Sequence, residues 1–116
     1  MLDAEVVGFW QGLGLPGLID VHVHFMPDNV MRKVWAYFDQ VGEHTGRAWP
    51  ITYRGSESER LAHLRDLGVR AFPSLLYAHK PDMAAWLIEW AAGFAAEHPD
   101  VLHTATMFTE PSAASY

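Results

Sequence analysis

No cysteine occurs among the 116 residues, so disulfide staples and thiolate metal ligands are excluded. No apolar run approaches the roughly 20 residues that a membrane-spanning helix requires. A basic segment leading into a short apolar one is also missing, which makes the cytoplasm the expected location. Positive charge is scarce: eight Lys and Arg face 14 Asp and Glu, for a formal charge of -6. The basic residues form no cluster, which argues against nucleic acid or an anionic membrane as a partner. Apolar residues, by contrast, make up 50% of the chain, and five Trp are present. Such content demands large covered surfaces, and the length suits one small domain.

The apolar spacing orders the chain into alternating helices and strands. Asp3 is the expected cap of a first helix over Ala4–Leu13, ended by Gly14 and Pro16. A strand follows at Leu18–His24, then Asp28 as cap of a helix over Asn29–Val41 with Val30, Val34, Tyr37, Phe38 and Val41 on its apolar side. Residues 42–55, with Gly42, Gly46, Pro50 and Gly55 among Trp49, Ile51 and Tyr53, read as a long ordered excursion. Ser56 and Glu59 form a capping box before Leu61, Leu64 and Leu67, and Gly68 is the left-handed stop. A second strand is expected over Val69–Leu76, although Pro73 inside it removes a ladder donor. Met83, Trp86, Leu87, Trp90, Ala91 and Phe94 then mark a helix from about Asp82 to Glu97, and Val101–Phe108 is the third strand. The tail, Ser112–Tyr116, looks polar and poorly ordered. Strand, helix, strand, helix, strand in this order implies a parallel sheet with crossover helices.

Gly17–Pro27, GLIDVHVHFMP, carries the chemistry. Side chains alternate along a strand, so Asp20, His22 and His24 share one side, and two imidazoles two residues apart can grip one divalent ion. The bland alternative is a chance H-x-H pair. Context is specific, however: the pair ends an apolar strand, follows an acid on the same side, and precedes a Pro-containing loop. This stretch resembles the first barrel strand of the amidohydrolase superfamily, especially the branch of aminocarboxymuconate-semialdehyde decarboxylase-like enzymes.

The resemblance implies a TIM (β/α)8 barrel, of which residues 1–116 would be the N-terminal part, about three βα units. A barrel of this kind takes about 250 residues. The outer strands point the same way, since they lack the charged or Pro-protected pattern of exposed edges. A doubly wound nucleotide fold is disfavoured because the first strand is followed by HVHFMP rather than a glycine-rich loop. The resemblance further implies a His after a middle strand and an Asp after the last, and these would lie beyond Tyr116. Two imidazoles supply half of a tetrahedral shell, so the chain as given should hold metal weakly and not turn over.

Barrel catalysts cluster at strand C-terminal ends. His22 and His24 are the expected ligands of a divalent ion, zinc first, with manganese or iron as options. His79 and Glu110, at the second and third strand ends, are the catalytic candidates; their alternatives are a solvent histidine and a loop carboxylate. Phe25, Arg32 and Trp49 are the substrate-binding candidates, Arg32 through its bidentate fork. Asp20 is expected to support the histidine pair. His44 cannot be placed, and His63, His98 and His103 are assigned structural or solvent roles. The expected function is hydrolysis of a small carbonyl or amide-type molecule by metal-activated water. Decarboxylation of a small carboxylated substrate is the first alternative. An inert fragment that pairs through its open sheet edges, with itself or a partner, is the second.

Overall fold

The computed structural model describes Met1–Tyr116. Helix α1 (Asp3–Gly12) is followed by β1 (Leu18–Ile19), α2 (Asp28–Thr45), α3 (Glu57–Asp66), β2 (Val69–Pro73), α4 (Ala84–Glu97) and β3 (Val101–Leu102), and a short 3-10 helix spans Pro111–Ser115. The strands form one parallel sheet in the order β1-β2-β3. Leu18 pairs with Val69 and Ile19 with Ala71, while Phe72 pairs with Val101 and Pro73 with Leu102. The chain is therefore an α/β unit with a parallel sheet, as the order of its patterns implies.

Packing lies on one side of that sheet. Leu61 of α3 and Phe94 of α4 meet Phe25, Val69, Phe72 and Val101 in one buried cluster. A second cluster joins Met26, Val30 and Met31 to Met83 and Leu87. On the other side, Ile19 is 66% and Leu102 51% exposed, one residue along from half-buried Leu18 and buried Val101. The radius of gyration is 16.3 Å and the extents are 50 × 38 × 22 Å, whereas a compact domain of this length would have a radius near 13 Å. The unit is thus an extended slab whose outer strands are packed on one side and open on the other, while Phe72 and Pro73 of the central strand are both buried.

Several elements differ from their sequence patterns, each for a local reason. Leu2, not Asp3, holds the cap position of α1: its N–H donates to Glu5 Oε2 at 2.6 Å. Asp3 instead accepts a hydrogen bond from the Tyr53 hydroxyl at 2.8 Å. Pro27, not Asp28, precedes α2, and its carbonyl accepts from the N–H of Val30 and Met31. Helix α2 runs one turn beyond Val41 and stops at Gly46, whose φ of 73° is the left-handed conformation that glycine adopts without strain.

The strands are shorter than their apolar runs. After Ile19, Asp20 Oδ1 accepts from the His22 N–H at 2.9 Å, a local turn that draws the backbone out of the ladder. Pro73 ends β2, where its missing N–H would leave the ladder incomplete. Ser56 and Glu59 form the capping box as expected, with Glu59 N–H to Ser56 Oγ at 3.1 Å and Ser56 N–H to Glu59 Oε2 at 2.9 Å. The tail is ordered rather than loose: the Tyr116 hydroxyl donates to Glu110 Oε1 at 2.7 Å and accepts from the Phe108 N–H at 3.3 Å.

Candidate metal centre

Residues 20–27 leave β1 as an extended segment, and two of its side chains converge. His22 Nε2 and His24 Nε2 lie 3.2 Å apart, with the rings edge to face. Two nitrogens bound to one zinc at about 2.0–2.1 Å with tetrahedral angles would be separated by roughly 3.3 Å. The pair therefore has the bite of a chelate.

His24 is the better fixed of the two. Its Nδ1 lies 3.1 Å from the Leu75 carbonyl oxygen, so Nδ1–H donates there and Nε2 keeps its lone pair, an assignment made from the hydrogen-bond geometry. Its ring stacks on Tyr77 at 4.7 Å between centroids and 15° between planes. Burial holds the His24 imidazole below its ordinary value of 6.5; the Leu75 carbonyl opposes this, and His22 and Arg60 reinforce it. A neutral ring with one committed nitrogen is the form that a metal ion requires. His22 is exposed, and its ring nitrogen meets only that of His24.

Asp20 does not support either imidazole as expected, because its carboxylate accepts the His22 backbone N–H. The Leu75 carbonyl takes that part for His24. No third His, Cys, Asp or Glu joins the pair in a cluster. The donors present thus fit one side of a metal shell and leave the other side open.

A cavity of about 950 Å³ opens beside the pair, and its walls include Phe25, Trp35, Trp49, Tyr53, Arg54, Arg60 and His63. Phe25 is 1% exposed, so it forms floor rather than a reaching side chain. Trp49 is 63% exposed on the excursion and lies 6.3 Å from the Phe38 ring of α2. Arg32 is exposed on α2 and is not part of the wall. His79 is exposed, with Nδ1 3.4 Å from the Tyr77 carbonyl oxygen, and also lies outside the cavity. Glu110 lies outside it as well and is engaged at both oxygens, by the Tyr116 hydroxyl and by the Asp82 N–H at 2.9 Å.

Three wall residues escaped the sequence reading. His63, expected on an exposed helix side, is half-buried, lies 4.9 Å from the Tyr53 ring with the planes tilted by 32°, and has Nε2 3.3 Å from Asp3 Oδ2. Arg54 is bonded to Asp39 through two nitrogens, and the contact holds the Asp39 carboxylate below its usual range. Arg60 donates to the His24 carbonyl. It had one visible signal: it shares an i, i+4, i+7 stripe with Leu64 and Leu67, where a charge is out of place. No family model, no curated protein and no solved structure matches this chain.

Proposed function

We propose that this chain is the metal-gripping portion of a metal-dependent hydrolase of the amidohydrolase type, in which its three strands begin a (β/α)8 barrel. The observation that carries the reading is the 3.2 Å separation of two imidazole Nε2 atoms, one of them with its tautomer set by the Leu75 carbonyl. The open side of the sheet supports the barrel part of the reading, since parallel sheets are covered on both faces in complete folds.

In that role His22 and His24 would hold a zinc-class divalent ion. Bound there, such an ion supplies a Lewis acid and a water acidic enough to be hydroxide near neutral pH. The chain's own residues do the rest of what is on this side. Leu75 and Tyr77 orient the His24 ring, and Phe25 and Trp35 give the neighbouring cavity an apolar wall that suits a small organic carbonyl substrate. The remaining donors and the proton-transfer group would come from later strands of the barrel.

The test is zinc binding to the purified chain, read by calorimetry for the wild type, His22→Ala and His24→Ala. Weak one-to-one binding that both substitutions abolish supports the reading; binding unchanged by either ends it. For a preparation that turns over a small carboxylated substrate, carbon dioxide release separates decarboxylation from hydrolysis.

The open side also favours a second reading, an interaction module that pairs through that face. Ile19 and Leu102 on that face are 66% and 51% exposed, and exposed apolar surface of this sort marks contact sites. Sedimentation decides it: a stable monomer at high concentration would count against it.

A further inference from the structure

The segment that carries the histidine pair has little regular support. The ladder ends at Ile19, and between Asp20, whose N–H donates to the Ala71 carbonyl, and Val23, whose carbonyl accepts from the Leu75 N–H, no other backbone bond ties residues 20–25 to the sheet. A carbonyl in such a segment needs another donor. At His24 that donor is Arg60 Nη2 of α3.

Arg60 is the one arginine of the chain that is half-buried rather than exposed. The chain's ion pairs are Arg54 with Asp39, His63 with Asp3, and Arg65 with Asp100, so this half-buried guanidinium has no carboxylate partner. Its guanidinium lies 4.2 Å from the Phe25 ring centroid and 5.7 Å from that of Trp35. Glu57 and Asp28 act on it only through space, while burial works against its charge. A half-buried cation without a carboxylate is costly. Here the aromatic faces offset part of the cost, and its one hydrogen bond inside the chain goes to the residue that carries the better-fixed imidazole. The base of the side chain is equally well anchored, because the capping box of Ser56 and Glu59 secures the first turn of α3.

We infer that Arg60 is a positioning residue for the histidine pair: by holding the His24 carbonyl against Phe25, it sets where His24 Nε2 points relative to His22 Nε2. The value of that aim rests on the metal reading above, but the aim itself is measurable without metal. Loss of the donor frees residues 21–25, weakens the Nδ1–H bond to Leu75 and widens the bite.

The experiment is imidazole ¹⁵N spectroscopy of the labelled chain, first zinc-free and then through a zinc titration. Arg60→Met keeps an apolar stem against Phe25 and removes the donor. It is expected to mix the two tautomers of His24 in the zinc-free protein and to weaken zinc binding about 10–100-fold. Arg60→Lys, which keeps a donor, is expected to recover most of both. Leu61→Ala, a core change in the same helix, should lower stability and leave the tautomer and zinc affinity as in the wild type. Wild-type tautomer and affinity in Arg60→Met would overturn the inference while leaving the metal reading intact. A His24 resonance that ignores zinc in the wild type would overturn the metal reading, and the zinc-free tautomer would still decide Arg60. If Arg60→Met does not fold, the wild type decides: the Arg60 guanidinium resonances must move when zinc reaches His24, and fixed resonances overturn the inference.

Discussion

The two sides of the sheet are built from adjacent residues and have opposite fates. Val101 is 6% exposed and Leu102 51%; Leu18 packs against the main cluster while Ile19 stands 66% exposed. Both sides carry aliphatic residues at these positions. What separates them is that α3 and α4 cross over on one side only, so the same residue types are core on one side and exposed surface on the other. Hydrophobicity therefore states a demand for cover, and topology decides which demand is met.

The sharpest way to break that comparison is Phe72→Ala. Phe72 is 0% exposed and central to the packed side, so truncation should cost about 3–5 kcal/mol, seen as loss of most of the cooperative urea transition. A cost under about 1 kcal/mol would mean that the packed side is not the core.

A smaller loss should come from pH. His24 is held below 6.5 when folded, so the unfolded chain binds its proton more readily. The stability that follows is fully present above about pH 6.5 and is lost as pH falls through the folded value. Urea midpoints in chelator at pH 7.5 and 5.5 should show a steeper drop for the wild type than for His24→Gln, and equal drops would remove His24 as the cause. Lower still is Asp100, which accepts from Arg65 at 2.9 and 3.0 Å. That pairing depresses the Asp100 carboxyl from its ordinary 3.8, so its contribution is present above that value and lost in acid. Because Arg65 is 45% exposed, Asp100→Asn should cost under about 1 kcal/mol at neutral pH, with a shallower acid limb. Ile19→Thr, on the open side where Ile19 is 66% exposed, should change the monomer's stability by less than about 0.5 kcal/mol. A larger loss that grows with protein concentration would show a second molecule covering that side.

Much of the architecture was legible in the residues. The capping box at Ser56 and Glu59, the stop at Gly68 and the 3.6-residue apolar spacing of α4 are local signals, and the structure follows them. Strand lengths were not legible, because an apolar run records burial rather than pairing. Val21 and Val23 read as strand, yet the His22 N–H bonds Asp20 within its own segment, and past Asp20 only the Val23 carbonyl meets a backbone donor across from it, the Leu75 N–H. The convergence of His22 and His24 followed from two-residue spacing. The surroundings did not: Leu75, Tyr77 and Arg60 reach His24 from 36 to 53 positions away, and no pattern in the chain pairs them with it. Glu110 and Tyr116 show the same limit, since a carboxylate at a strand end looks free until a tail residue is found bonded to it.

The sequence by itself determined which segments are helical or extended, their parallel order, and the presence of two imidazoles on one side of one segment. The first and last of these depend on interactions within a few residues, and the parallel order follows from the alternation of helices and strands along the chain. Only the tertiary structure decided which side of the sheet is covered, that the Leu75 carbonyl leaves His24 Nε2 free, and that Arg60 is bonded to the histidine segment. Those outcomes depend on hydrogen bonds and packing between elements distant in the chain, whose partners are chosen by the path of the backbone rather than by the residue types.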